Sequence, residues 1–189
     1  MARTPSTMPP LGIPAPDFSL PDPGGRVHRL SECRGPKGTL VMFLCNHCPF
    51  VKLVGEEIGR VAADAARLGV GSVGIMSNDF TTHPDDAPAH MTSAAKAWGW
   101  RFPYLVDEDQ SVALAHRAAC TPDFFLYDHA DRLVYRGQLD DARPGNGVSP
   151  SGTDLRAAIA ALSAGRPPLE PQKPSLGCNV KWRPGRAPA

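Results

Sequence analysis

The apolar run Leu40-Val41-Met42-Phe43-Leu44 ends in Cys45-Asn46-His47-Cys48-Pro49, and this junction constrains the fold more than any other stretch of the chain. A short apolar run closed by turn residues reads as a buried strand. Beyond it, Val51, Val54, Ile58, Val61, Ala65 and Leu68 recur at helical spacing, with Lys52, Glu56, Glu57, Arg60 and Asp64 on other faces. Two thiols three residues apart therefore stand at a strand-to-helix junction. A helix N-terminus carries partial positive charge and unpaired N–H groups. A cysteine held there is favoured as thiolate, the reactive form.

The remaining pattern repeats this alternation. The helix ends at Gly69, and Val70 to Met76 reads as the next buried strand. Pro84 suits a helix start, and Met91, Ala94, Ala95 and Trp98 give that helix one face. Phe102 to Val106 is a short strand, followed by a helix from Asp107–Asp109 to about Ala118. Phe124 to Tyr127 and Leu133 to Arg136 flank a turn, and Leu155, Ala158, Ile159 and Leu162 mark a last helix. Trp98, Trp100 and Phe102 read as core. Strands alternating with helices imply parallel crossovers, and the late strand pair implies an antiparallel edge. The expected fold is α/β, a mixed central β-sheet flanked by helices. We divide the chain into a flexible N-terminus over 1–11, one domain over 12–165 and a proline-rich tail over 166–189. Leu176, Val180 and Trp182 around Cys178 predict that this tail docks on the domain.

The 189 residues carry balanced charge, formally +1, which gives no reason to expect nucleic acid or an anionic membrane as partner. Met1 to Pro10 shows no signal-peptide core, and no run reaches transmembrane length. The expected location is the cytoplasm, where a CxxC is catalytic or metal-binding rather than a structural disulfide. Five cysteines (Cys33, Cys45, Cys48, Cys120, Cys178) exclude a complete disulfide framework. Zinc is the competing reading of the motif, but structural zinc takes four ligands and no second CxxC is present, so no metal and no cofactor is expected.

Four further motifs carry a resemblance: Thr121-Pro122 before a strand, the lead-in Ala15-Pro16-Asp17-Phe18-Ser19-Leu20, Ser77-Asn78-Asp79, and the tail Gly177-Cys178-Asn179-Val180-Lys181-Trp182. With Cys45-Asn46-His47-Cys48-Pro49 they resemble the thioredoxin superfamily, in its AhpC/TSA branch of peroxiredoxins and cytochrome-maturation thioredoxins. The resemblance implies a thioredoxin-like fold with an inserted helix (around Pro84 to Trp98) and an N-terminal extension. It implies a cis bond at Thr121-Pro122, facing the dithiol and forming the substrate groove by strand addition. It also implies an exposed Cys45 that attacks a substrate disulfide and a more buried Cys48 that resolves the mixed disulfide. The substrate would be a protein or small-molecule disulfide, with a thiol-based reductase or oxidant as redox partner.

His47 lies where a strongly oxidising thioredoxin relative also has histidine. Its imidazolium would stabilise the Cys45 thiolate and make the disulfide more oxidising. Asn46 joins it as a tuning residue on the rim. Where thioredoxin keeps a buried acid, this chain has Thr39. Asp79 and Asp123 are the alternatives, with loop capping the stronger expectation for both. Cys120 and Cys178 form a possible second thiol pair, against the alternative of two buried thiols packing as small hydrophobes. Cys33 is expected to be structural. His28, His83, His90, His116 and His129 are expected to be solvated.

Two other activities compete. Peroxiredoxins carry Pro-x-x-x-Thr-x-x-Cys; with Cys48 on that cysteine, Val41 takes the proline slot and Cys45 the threonine slot, so groups that polarise the peroxide are missing. A Cu(I) carrier suits thiolates with His47, but such carriers on this fold space their cysteines more widely.

Overall fold

The structure, a computed structural model, describes residues 3–188. In chain order the elements are β1 (Arg3–Pro5), β2 (Ser19–Pro21), β3 (Val27–Arg29), α1 (Leu30–Cys33), β4 (Gly38–Phe43), α2 (Pro49–Arg67), β5 (Val70–Met76), a 3-10 turn (Pro84–Asp86), α3 (Pro88–Ala97), β6 (Tyr104–Val106), α4 (Ser111–His116), β7 (Cys120–Thr121), β8 (Asp123–Asp128), β9 (Leu133–Gly137), α5 (Thr153–Ser163) and β10 (Leu176–Asn179). Five strands form the central sheet in the order β6-β5-β4-β8-β9. β4, β5 and β6 are parallel, while β8 and β9 add in antiparallel fashion. This is the mixed α/β sheet expected from the alternation of periods.

β4 is central and buried throughout, as its unbroken apolar run requires. Its side chains alternate between two cores. Leu40, Met42 and Leu44 pack with Ile58 and Val61 of α2 and Ile159 of α5. Val41 and Phe43 pack with Leu30 of α1, Val112 of α4 and Phe125. Helices therefore cover both faces. α2 buries Val51, Val54, Ile58, Val61 and Ala65. Leu68, expected on the same stripe, is the C-cap residue and is 41% exposed, because the chain turns away at Gly69. Glu57, expected on the polar face, is buried under α5, where Arg60 and Arg156 each donate a hydrogen bond at 2.6 Å.

Pro84 opens the 3-10 turn rather than α3. The second proline, Pro88, forces Ala87 into extended geometry (φ −58°, ψ 147°) and so separates the two. Trp98 and Trp100 pack at 4.9 Å and Trp100 and Phe102 at 5.3 Å, with Trp100 buried and its neighbours half-buried.

A second sheet, β1-β10-β7, lies at the end of the central one. β10 is tail sequence, paired antiparallel with β1 through Arg3↔Cys178 and with β7 through Cys178↔Thr121. The expected flexible N-terminus is corrected here for residues 3–11: β1 pairs, Ser6 N donates to Ser175 O at 2.9 Å, and Gly12 N donates to Leu133 O at 2.8 Å. Residues 1 and 2 lie outside the described residues. These contacts are main-chain hydrogen bonds, which need no apolar pattern and so leave no periodic sign. No helix among the described residues is long and apolar enough to cross a membrane.

Ile58→Ala, in the main core, is expected to cost about 2–5 kcal/mol, whereas Leu68→Ala stays within roughly 0.5 kcal/mol of wild type; urea unfolding of the two variants checks the contrast.

Candidate active site

Backbone pairing assembles the site from distant segments. Leu44 N continues the sheet by donating to Ile75 O at 2.9 Å, and Cys45 follows directly. Cys48 is the N-cap of α2, with extended backbone (φ −65°, ψ 126°), and Pro49 occupies the first turn, where no N–H is needed. Opposite, Asp123 at the start of β8 pairs with Phe43 of β4, which carries the preceding cis Thr121-Pro122 bond to the thiols. Cys45 Sγ lies 3.1 Å from Thr121 Oγ1, and Cys48, when protonated, donates to Thr121 O at 3.2 Å.

Cys178 also belongs to this cluster, with its sulfur 2.8 Å from Cys48 Sγ. Pairing of Cys120 with Cys178 is not what the structure brings about. Cys178 opposes Thr121 and Asn179 opposes Cys120. Consecutive strand residues face opposite ways, so Cys178 shares a face with Thr121 while the Cys120 sulfur turns to Pro122 O, 3.6 Å away. Cys33 is buried in the second core.

The expected contrast between an exposed Cys45 and a buried Cys48 is also corrected: both are 0% exposed. Burial pushes the Cys45 thiol well up, and Cys48 and the Asp86 carboxylate push it the same way. Cys48 moves oppositely. A hydrogen bond from the Cys45 thiol, then bonds from Cys178 and the Val51 N–H in the first turn of α2, hold it down to about 5 against the cost of burial. These bonds favour the charged form of Cys48.

Asp86, which sequence reasoning missed, organises the rim. Its Oδ1 accepts from Asn46 N (2.7 Å) and His47 N (3.2 Å); its Oδ2 accepts from Asn78 Nδ2 (2.8 Å) and pairs with His47 Nδ1 (2.5 Å). Burial works to raise this fully buried carboxyl, yet these hydrogen bonds hold it below its ordinary value. The same bond to Asp86 raises the His47 pKa. The imidazolium is thus matched by a carboxylate that itself opposes a Cys45 thiolate. The only hint in the sequence is an acidic pair, Asp85-Asp86, in the inserted segment. Asn46 is buried, accepting from Tyr104 OH (3.2 Å) and donating to Asp85 O (3.1 Å).

The other candidates separate. Asp79 caps its loop through Thr81 N (3.1 Å) and Thr81 Oγ1 (2.6 Å). Asp123, next to Pro122, is fully buried and pushed up to about 7 by that burial. Thr39 is buried too. His116, expected to be solvated, lies in the core between Phe43, Phe125 and Tyr127, where burial lowers its pKa to about 4. His83 stacks on His47 at 5.3 Å. Cys45, His47 and Asp86 hold their ligand atoms within 4.8 Å of one another, a set able to accept a cation, although His47 Nδ1 already serves Asp86.

A mixed sheet flanked by helices, with a CxxC at the head of α2 and a cis-proline facing it, defines a thioredoxin-fold protein. Residues 11–136 match the AhpC/TSA family, and the chain belongs to it. The thiol-disulfide oxidoreductase ResA of Geobacillus kaustophilus (strain HTA426) is 27% identical over 125 residues, 62% of this chain and 63% of that protein's length. The chain thus spans less than two thirds of this curated relative. An uncharacterized conserved protein from Geobacillus kaustophilus, known from its crystal structure, is 49% identical with a TM-score of 0.95 and 98% of each chain covered. Peroxidoxin BcpB from Mycobacterium tuberculosis shares the fold at 19% identity and a TM-score of 0.61, over 82% of this chain and 97% of that one.

The raised His47 and lowered Asp86 set a pH window. The His47 contribution to stability is full below its unfolded value, about 6.5, and is lost as pH rises through the raised value. The Asp86 contribution is full above its unfolded value, about 3.9, and is lost as pH falls through the lowered one. Asp86→Asn is expected to move the NMR titration of His47 downward and to cost about 1–3 kcal/mol inside that window.

Proposed function

We propose that this chain is a thiol–disulfide oxidoreductase that cycles Cys45 and Cys48 between dithiol and disulfide. One observation carries the reading: at the head of α2 both thiols meet Thr121 beside the cis Thr121-Pro122 bond, Cys45 Sγ 3.1 Å from Thr121 Oγ1 and Cys48 Sγ 3.2 Å from Thr121 O. The curated relative named a thiol-disulfide oxidoreductase supports it. The substrate is a protein or small-molecule disulfide, and a thiol-based reductase or oxidant restores the starting state.

We assign the first attack to Cys48, the sulfur that its hydrogen bonds favour as thiolate, rather than to Cys45. The Cys48 thiolate attacks one sulfur of the substrate disulfide, and the other leaves as a thiolate. Cys45 then loses its proton and attacks Cys48 Sγ, so the Cys45–Cys48 bond forms and the second substrate thiolate departs. Two electrons pass to the substrate. Because the thiolate is stabilised, the reduced protein is favoured and the disulfide is correspondingly oxidising. His47 contributes through its charge, reduced by its partner Asp86.

Three measurements test this. The ultraviolet thiolate absorbance of the reduced protein is expected to titrate with a midpoint of about 5 and to vanish in Cys48→Ser; persistence in that variant and loss in Cys45→Ser would return the attacking role to Cys45. Reduction of insulin disulfides should disappear in both cysteine variants, and unchanged turnover in either defeats the dithiol reading. In glutathione redox titration His47→Ala should be more reducing by about 30 mV or less, and an unchanged or more oxidising variant removes His47 from redox tuning.

A further inference from the structure

The C-terminal strand lies where a disulfide substrate would lie. β10 runs antiparallel along β7, with Cys178 opposite Thr121, and addition to a strand edge is how an extended partner is recognised. Contacts just past the strand hold its register: Val180 N donates to Ala119 O at 3.0 Å, Lys181 N to Asn78 Oδ1 at 2.8 Å, and Asp79 N to Lys181 O at 2.8 Å. Gly177 permits the close approach, since a Cβ there would stand 2.1 Å from Thr121 O. Beside this strand the cavity between Pro122, Phe50 and Leu176 is small, about 10 Å³. This strand delivers a thiol to the site: Cys178 Sγ is 2.8 Å from Cys48 Sγ. A disulfide bond is about 2.05 Å long, so a small side-chain rotation closes the gap.

We propose that Cys178 is a third redox thiol, an internal exchange partner for Cys48, and that the disulfide alternates between Cys45–Cys48 and Cys48–Cys178. The proposal rests on the dithiol reading above. In the oxidised dithiol, Cys178 loses its proton and its thiolate attacks Cys48 Sγ. The Cys48–Cys178 bond forms, the Cys45–Cys48 bond breaks, and Cys45 leaves as a thiolate that takes up a proton. No electrons are gained or lost, so the step needs no outside oxidant. Cys48 is the pivot because it is a member of the dithiol and its sulfur lies 2.8 Å from Cys178 Sγ. The alternation also regulates access: the Cys48–Cys178 form ties β10 covalently into the groove, whereas the Cys45–Cys48 form leaves it held by hydrogen bonds that a substrate strand can replace.

The test oxidises the full chain with diamide, quenches with acid, alkylates, and maps disulfides by peptide mass spectrometry. Wild type is expected to yield both the Cys45–Cys48 bond and the linked Cys48 and Cys178 peptides. Cys45→Ser should lose two titratable thiols and form the Cys48–Cys178 link, and adding Cys178→Ser should abolish it. Adding Gly177→Val to Cys45→Ser, which displaces the strand, should slow the link about 10–100-fold. A folded Cys45→Ser protein (by circular dichroism) that forms no such link overturns the third-thiol role. If Cys178→Ser still forms Cys45–Cys48 in that case, the dithiol reading stands. A link in Cys45→Ser with no Cys45–Cys48 bond in Cys178→Ser instead overturns the dithiol reading and, with it, the alternation.

Discussion

The meeting of the thiols with Thr121-Pro122 depends on the antiparallel pairing of β4 with β8, which runs from Gly38↔Asp128 to Phe43↔Asp123. The thiols leave the end of β4, and Thr121-Pro122 arrives at the adjoining end of β8. Residues 76 positions apart therefore meet at 3.1 Å. Burial of β4 on both faces locks this register, because a one-residue slip would exchange its two apolar faces between two differently shaped cores. β7 continues from the same crossing, and β10 then pairs with β7, so the position of Cys178 inherits the register of the central sheet.

The site built there is dry. Cys45, Cys48, Cys178 and Asp86 are all nearly or fully inaccessible, and an isolated buried charge is costly. Each charge is offset by directed donors: Asp86 by His47, Asn78 and two backbone N–H groups, and Cys48 by a neighbouring thiol and the head of α2. The two arrangements adjoin, since Asn46 and His47 lie between the cysteines and supply the N–H groups that Asp86 accepts. Asn78 extends the same network to the tail by accepting from Lys181 N. Closure of the tail and the electrostatics of the rim are thus one hydrogen-bonded system.

Legibility in the sequence followed the kind of interaction. β4, α2 and β5 were readable because apolar burial leaves a period, and Val70–Met76 emerged with the expected bounds. β1, β7 and β10 were not readable as strands. They are two to four residues long and held by main-chain bonds, which any side chains allow. In the same way Cys45, Cys48, Thr121 and Pro122 were legible as motif residues, while Asp86 was not. A single buried carboxylate leaves no pattern, and its role exists only because the inserted 3-10 turn folds back over the motif.

The sequence by itself determined a mixed α/β sheet and a dithiol at a strand-to-helix junction, because periodicity and local motif chemistry are properties of the chain, while the proline-marked strand facing the dithiol followed from the family resemblance. Tertiary structure alone decided which sulfur partners which, which acid serves the site and how far the thiols are covered. Those outcomes turn on strand register and desolvation, both set by segments far apart in sequence. A register with Cys178 opposite Thr121, rather than opposite Cys120, turned its thiol toward Cys48.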